Sequence, residues 1–183
     1  MRRLPRAAWA CALIACLNAI SWSLVSPPFQ VPDEPDHFAY VKQLADTGRL
    51  PSSSSEQFSG EELATLAALR YELVRQEPQN RTIATPAEQE RLERTLAATP
   101  RESGSDAAGV ASSQPPLYYA LEAIPYRLAD SGTVLDRLAL MRLLSALFAA
   151  ITAIFTFLFV RETLPGAPWA WSVGGLSVAL FDA

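Results

Sequence analysis

Residues 143–160 read LLSALFAAITAIFTFLFV, an uncharged run of about 18 residues, close to the roughly 20 apolar residues that carry a helix across a hydrocarbon core. Residues 7–25, AAWACALIACLNAISWSLV, form another uncharged run of about 19. Both read as transmembrane helices, the form in which a chain satisfies its backbone polar groups without water. A third apolar stretch starts at Trp169 and passes through Trp171, Val173, Leu176, Val178 and Leu180 to Phe181. Gly174-Gly175 within it is tolerated in lipid, and the stretch covers roughly half to two thirds of a span before Asp182-Ala183. The expected fold is therefore all-α and membrane-integral. The spans read as the first helices of a polytopic bundle, and the sequence as the N-terminal piece of a longer protein or a broken reading frame.

Half of the 183 residues are hydrophobic, and they gather at the two ends. Arg2, Arg3 and Arg6 precede the first run with no acid among them, which keeps the N-terminus in the cytoplasm. The expected order is a cytoplasmic N-terminus (1–6), a first span (7–25), an extracytoplasmic loop (26–140), a second span (141–160), a cytoplasmic link (161–168) and a partial third span (169–183). This is a multi-pass plasma-membrane topology. Arginines inside the loop do not oppose it, because loops beyond about 60 residues cross largely regardless of charge. The net charge of −4 argues against a nucleic-acid partner. A basic start followed by an apolar run also describes a cleaved signal peptide, and Leu13-Ile14-Ala15-Cys16 resembles a lipoprotein processing site. The apolar run continues past Cys16 to Val25, which favours an uncleaved anchor. Cys11 and Cys16 lie inside it, with no disulfide framework and no metal spacing.

The loop opens on Val31-Pro32-Asp33-Glu34-Pro35-Asp36-His37-Phe38, which holds three carboxylates and the only histidine of the chain. Pro35 suits a first helical turn with Asp33 or Glu34 at the cap. Phe38, Val41, Leu44 and Ala45 then share a face, and Gly48 can close the helix. The acidic cluster thus crowns a short amphipathic helix at the membrane surface. Beyond a Ser52–Ser55 tether, Ser59-Gly60-Glu61-Glu62 fits a capping box opening a helix to about Gln76, and Thr85-Pro86-Ala87-Glu88 a second, opening a charged helix to about Ala98. In that second helix Leu92 and Leu96 are the only large apolar residues. Residues 100–113, rich in Ser, Gly and Ala, read as mobile, and Asn80-Arg81-Thr82 matches the glycosylation acceptor pattern, which chance also produces. The loop lacks the apolar content for a sizeable core. It should lean on the membrane or on partners.

Gln114-Pro115-Pro116-Leu117-Tyr118-Tyr119 starts an interfacial helix over residues 116–130. Leu117, Leu121, Ile124 and Leu128 share a side, and Tyr118 and Tyr119 suit the headgroup level. From Thr133 the chain runs without a break into the second span. Arg142 can snorkel to the outer surface as an anchor, or face the acidic cluster and hold an anion. Acids at a helix start are also favoured by the helix dipole with no function attached.

A first span, an external Asp-Glu pair, an amphipathic helix, a later Pro-Pro-Leu-Tyr-Tyr and Arg142-Leu143-Leu144-Ser145 opening a span resemble the start of the GT-C fold glycosyltransferases. The version here, Pro32-Asp33-Glu34-Pro35-Asp36-His37-Phe38, is most similar to the membrane family DUF2142, and the resemblance covers about residues 7–165. It implies transfer of sugar from a polyprenyl-phosphate carrier to an extracytoplasmic acceptor. On the matching positions it implies Asp33 as the base on the acceptor hydroxyl or a ligand of a divalent cation, and Glu34 as a second carboxylate for catalysis, metal or substrate. Beyond the motif, Asp36 is read as a further ligand for the cation, and His37, Gln114, Tyr118 and Arg142 as substrate-binding candidates. Oxygen ligands suit magnesium or manganese, whereas a single histidine without cysteine makes a poor zinc site. Such enzymes have many more spans, so the short chain is expected to be inactive by itself. The competing reading is a small non-catalytic membrane anchor whose loop binds a partner.

Overall fold

The structure is a computed structural model and describes residues 4–31, 33–52, 58–76, 85–103 and 109–181. Among them every regular element is helical: α1 (Arg6–Val25), α2 (Glu34–Thr47), α3 (Gly60–Ala68), α4 (Tyr71–Gln76), α5 (Pro86–Ala98), a short 3-10 helix (Gly109–Ser113), α6 (Pro116–Leu128), α7 (Val134–Thr163) and α8 (Pro168–Phe181). The chain divides into an apolar unit, residues 1–26 with 142–183, and a second unit, residues 27–141. Asn80-Arg81-Thr82 and Ser53–Ser55 lie outside the described residues.

In the apolar unit, α1 and α7 are long and apolar enough to cross a membrane. Their contacts run through small side chains. Ala8, Cys11, Ala12 and Ala15 are buried on α1, and Ala146, Ala150, Ala153 and Phe157 on α7. Small residues let helix backbones approach closely where lipid removes the hydrophobic drive for association. On α8 a Cβ at Gly175 would stand 3.1 Å from both Cβ and Sγ of Cys11 and 3.3 Å from Cβ of Phe157, so glycine there sets the spacing. Trp171 donates its indole N–H to the Leu164 carbonyl at 2.9 Å, tying α8 to the end of α7. Meanwhile Trp9, Leu13, Leu17, Phe155 and Phe159 point outward, as a surface facing lipid requires.

The second unit has a packed core of a dozen buried residues, where the apolar content was expected to be too low for a sizeable one. Five aromatic rings, Phe29, Phe38, Tyr40, Tyr119 and Tyr126, are buried with Val41, Leu66, Val134, Leu138 and Met141. Aromatic rings each bury a large area, so few positions suffice where an aliphatic count looks thin. Phe38, Val41 and Ala45 on α2 are buried as their spacing predicts, with Leu44 packed against them; Gly48, at φ +68°, closes the helix. Ser59–Glu62 and Thr85–Glu88 both form complete capping boxes. No residue of α5 is buried, in keeping with its thin apolar face.

Three further differences have local causes. The helix from Gly60 breaks at Arg70, whose φ of 55° turns the chain into α4. In the stretch expected to be mobile, Glu102 Oε2 accepts the Gly60 N–H at 2.7 Å and residues 109–113 form the 3-10 helix with Gly109 and Ala111 buried. The helix of the second span starts at Val134, where Asp136 Oδ2 accepts the Thr133 N–H at 2.8 Å and the Asp136 N–H returns to Thr133 Oγ1 at 3.3 Å.

A buried ion cluster joins the elements of this unit. Lys42 on α2 and Arg137 on α7 are fully buried, and Glu61 on α3 lies between them, 3.5 Å from Lys42 Nζ and in direct contact with the Arg137 guanidinium. Arg137 also donates to the Tyr126 hydroxyl at 3.0 Å, and Lys42 to Ser59 Oγ at 2.6 Å. Removing one partner of a buried pair strands the other charge. Arg137→Met is therefore expected to lower stability by about 3–5 kcal/mol. All five tyrosines lie in residues 27–141 and all four tryptophans outside them, so denaturant unfolding followed by tyrosine near-UV dichroism reads this unit alone. A loss below about 1 kcal/mol, the worth of a surface pair, would refute the assignment.

Candidate functional site

The acidic stretch sits on a strained turn. Two non-glycine residues, Phe29 and Asp33, hold positive φ angles of 58° and 60°. That conformation costs an L-residue on the order of 1–2 kcal/mol and is rare for a bulky side chain. Phe29 is held by burial, its ring edge-on to Phe38 at 5.5 Å, and by its N–H, which donates to Glu34 Oε2 at 2.7 Å. Asp33 occupies the N-cap position of α2, and its carbonyl accepts the His37 N–H at 3.1 Å. Its side chain makes no cap hydrogen bond and is exposed. Capping is the bland reason for an acid at this position, and Ser59 and Thr85 do cap in the same unit; Asp33 does not. Pro35 falls in the first turn, as read from the sequence.

Asp36 has a different place. Its side chain is buried, and a Cβ built on Gly109 would fall 2.5 Å from both of its carboxylate oxygens. The Asp36 carboxylate thus lies against the backbone where the 3-10 helix begins, and only glycine, at φ +40°, admits it.

His37 points into an aromatic stack. Its Nδ1 lies 2.8 Å from the Tyr119 hydroxyl, with the two rings 14° from parallel at 5.8 Å. Tyr119 in turn stacks on Tyr40 at 3.7 Å. Tyr118 meets Tyr119 edge-on at 5.3 Å and stays exposed. The Tyr40 hydroxyl donates to the Gln114 carbonyl at 3.4 Å, while the Gln114 side chain is exposed. His37, Tyr118 and the Gln114 backbone are therefore brought together around Tyr119. That residue was expected at the headgroup level and is instead buried, because it faces α2 rather than the outer stripe of α6. Burial, with Tyr40 and Tyr118 adding to it, pushes the Tyr119 phenol up to about 12, and burial likewise pushes Tyr126 up to about 12.

Arg142 belongs to the apolar unit. It donates to the Ser23 and Ser26 carbonyls at 3.0 and 2.9 Å, groups that the C-terminus of α1 leaves without helical partners. Among the described residues no three His, Cys, Asp or Glu side chains converge on a point for a metal ion. Of the two acids expected at a divalent cation, Asp33 is exposed and Asp36 is buried against the Gly109 backbone. Sequence reading also missed Lys42, Glu61 and Arg137. Their signal was charge inside an apolar face: Lys42 directly after Val41, and Arg137 between Val134 and Leu138.

The model of a family of predicted membrane proteins, DUF2142, matches residues 16–181. The chain belongs to this family. No curated protein and no solved structure matches it. Membership in this DUF2142 family of predicted membrane proteins agrees with the two membrane-length helices.

Two outcomes follow for this unit. Gly109→Ala forces a side chain into the Asp36 carboxylate at a positive φ and should cost about 1–3 kcal/mol, as overpacking does; unchanged thermal unfolding would contradict the placement of Asp36. The raised phenols of Tyr119 and Tyr126 favour the neutral form in the folded state. Their contribution is complete below the ordinary phenol value of 10 and is lost as pH rises through about 12. Stability should fall between those values while tyrosinate absorbance rises, and a flat profile across that window would count against the buried stack.

Proposed function

We propose that this chain supplies the acceptor side of a glycosyltransferase-like site at the extracytoplasmic face of the membrane. In this reading Asp33 takes the proton from an acceptor hydroxyl as its oxygen bonds to the sugar's anomeric carbon. The bond from that carbon to the carrier's phosphate oxygen breaks, and the polyprenyl phosphate leaves with the electron pair. The single observation that carries the proposal is the state of Asp33: exposed, on a strained backbone, at a helix start whose capping it does not perform. Strain of this kind persists where surrounding structure enforces it, and clusters at active sites. A base must be within reach of the proton it removes, and an outward carboxylate meets that need. The family resemblance supplies the carrier class.

The same reading sets α6 at the bilayer interface. Leu117, Leu121, Ile124 and Leu128 are all exposed on it, Leu117 and Leu128 by 73% and 78%, while Tyr119, Glu122 and Tyr126 face the core. Six residues after Leu128, at Val134, the membrane-length helix α7 begins. A lipid surface is the nearest apolar medium for such a stripe.

Because the 183-residue chain is expected to be inactive by itself, the test is Asp33→Asn at the matching position of a full-length family member, in membranes supplied with their radiolabelled polyprenyl-phosphate sugar pool. Asn tolerates the left-handed conformation, so the turn should survive. Transfer should fall by about 10²–10⁴-fold, the weight of a general base, with membrane integration and helix content unchanged. Equal transfer by both proteins would reject Asp33 as base and favour the non-catalytic anchor.

A further inference from the structure

The two adjacent acids of the motif do different work. We infer that Glu34 is a positioning residue rather than a second catalytic carboxylate: it latches the turn that presents Asp33. This rests on the reading of Asp33 as base, but its geometry stands alone. Glu34 Oε2 accepts the Phe29 N–H at 2.7 Å, so the first residue of the second helix reaches back over the turn to the residue five positions before it. Phe29 is the costlier of the two left-handed residues, bulky and at φ 58°.

The links from Phe29 to Asp33 are short. The Gln30 N–H donates to the Pro27 carbonyl at 3.3 Å, the Glu34 N–H to the Val31 carbonyl at 3.2 Å, and the His37 N–H to the Asp33 carbonyl at 3.1 Å. The turn is therefore tied at the Phe29 ring, at the Phe29 amide and at the start of α2. Burial of the ring against Phe38 fixes where Phe29 lies. It does not fix φ, because an extended Phe could fill the same space with its amide turned away. The carboxylate of Glu34 supplies the directional term. A hydrogen bond to a charged acceptor is about twice as strong as one between neutral groups, enough to offset a left-handed conformation. Four residues on, Asp33 has a φ of 60°, and its carboxylate is exposed and makes no bond to the helix N–H groups.

A catalytic Glu34 and a positioning Glu34 separate on the conservative substitution. Glu34→Gln keeps an acceptor oxygen for the Phe29 N–H and loses the charge; Glu34→Ala loses both. In the whole protein in detergent, amide exchange is followed at Phe29 and, as a reference inside α2, at Val41. The latch predicts that Glu34→Ala speeds exchange at Phe29 by about ten- to a hundredfold, the range for a hydrogen bond to a charged group, and leaves Val41 protected. Glu34→Gln should fall between the unsubstituted protein and Glu34→Ala at Phe29, since it keeps an acceptor for the N–H but loses the charge that strengthens the bond, and should leave Val41 protected. Transfer, read in the full-length family member, should follow the same order, with kcat low in Glu34→Ala at unchanged KM and partly restored in Glu34→Gln. Unaltered exchange at Phe29 in Glu34→Ala overturns the latch, as does an equal rise at Val41, which would mean general loosening. Glu34→Gln that protects Phe29 yet transfers no better than Glu34→Ala also overturns it, since the charge would then act directly. Failure of Asp33 as base shows separately, as full transfer by Asp33→Asn, and leaves the exchange result intact.

Discussion

The unit between the membrane helices depends on two cations that cannot leave it. Lys42 and Arg137 have no exposed surface, and desolvation of each is affordable only because Glu61 lies between them and Ser59 and Tyr126 take remaining donors. These partners belong to different parts of the chain: α2, α3, α6 and α7. A shift of α2 by one residue would carry Lys42 away from Glu61 and bury it alone. The cluster therefore selects one register among helices whose apolar faces could slide. Tyr126 strengthens the choice, because its ring also lies within 5.3 Å of the Arg137 guanidinium and 5.8 Å of that of Arg101.

Once α2 is held, the turn before it has little freedom. Phe29 must reach the core beside Phe38 while α2 begins only five residues later at Glu34. A short connection between fixed ends is met by left-handed residues, which reverse direction in the least chain length. Glycine would serve both positions without cost, yet the chain places Phe at one and Asp at the other. At Phe29 the ring repays the conformation by filling the core. Asp33 fills no core space and its side chain makes no cap hydrogen bond; an Asp enters the left-handed region more readily than a Phe.

The fold was legible wherever its cause was local. Uninterrupted apolar runs marked α1, α7 and α8; Ser59 with Glu62, and Thr85 with Glu88, marked two helix starts; Gly48 marked a stop. Each of these is written within a few residues of the chain. The core of the second unit was not legible, because its decisive contacts join distant residues. His37 meets Tyr119 82 positions away, and Arg137 meets Glu61 76 positions away. Tyr118 and Tyr119 show the limit most simply: neighbours in sequence, one exposed and one buried, and no periodicity in Pro116–Leu128 says which of its two faces meets protein. Arg70 escaped for a related reason, since a left-handed arginine leaves no mark in composition.

The three carboxylates were legible as a cluster but not in their separate geometry. A sequence cluster of Asp33, Glu34 and Asp36 invites the idea of converging ligands. Successive positions on a helix are about 100° apart, so carboxylates one and two residues apart diverge unless the backbone is bent to gather them. Here the bend does the opposite: Glu34 turns back to the Phe29 amide, Asp36 turns inward to the Gly109 backbone, and Asp33 alone remains at the surface. Glu34 binds backbone, Asp36 packs against it, and Asp33 is left exposed at a helix N-terminus, where the dipole favours a carboxylate whether or not it caps.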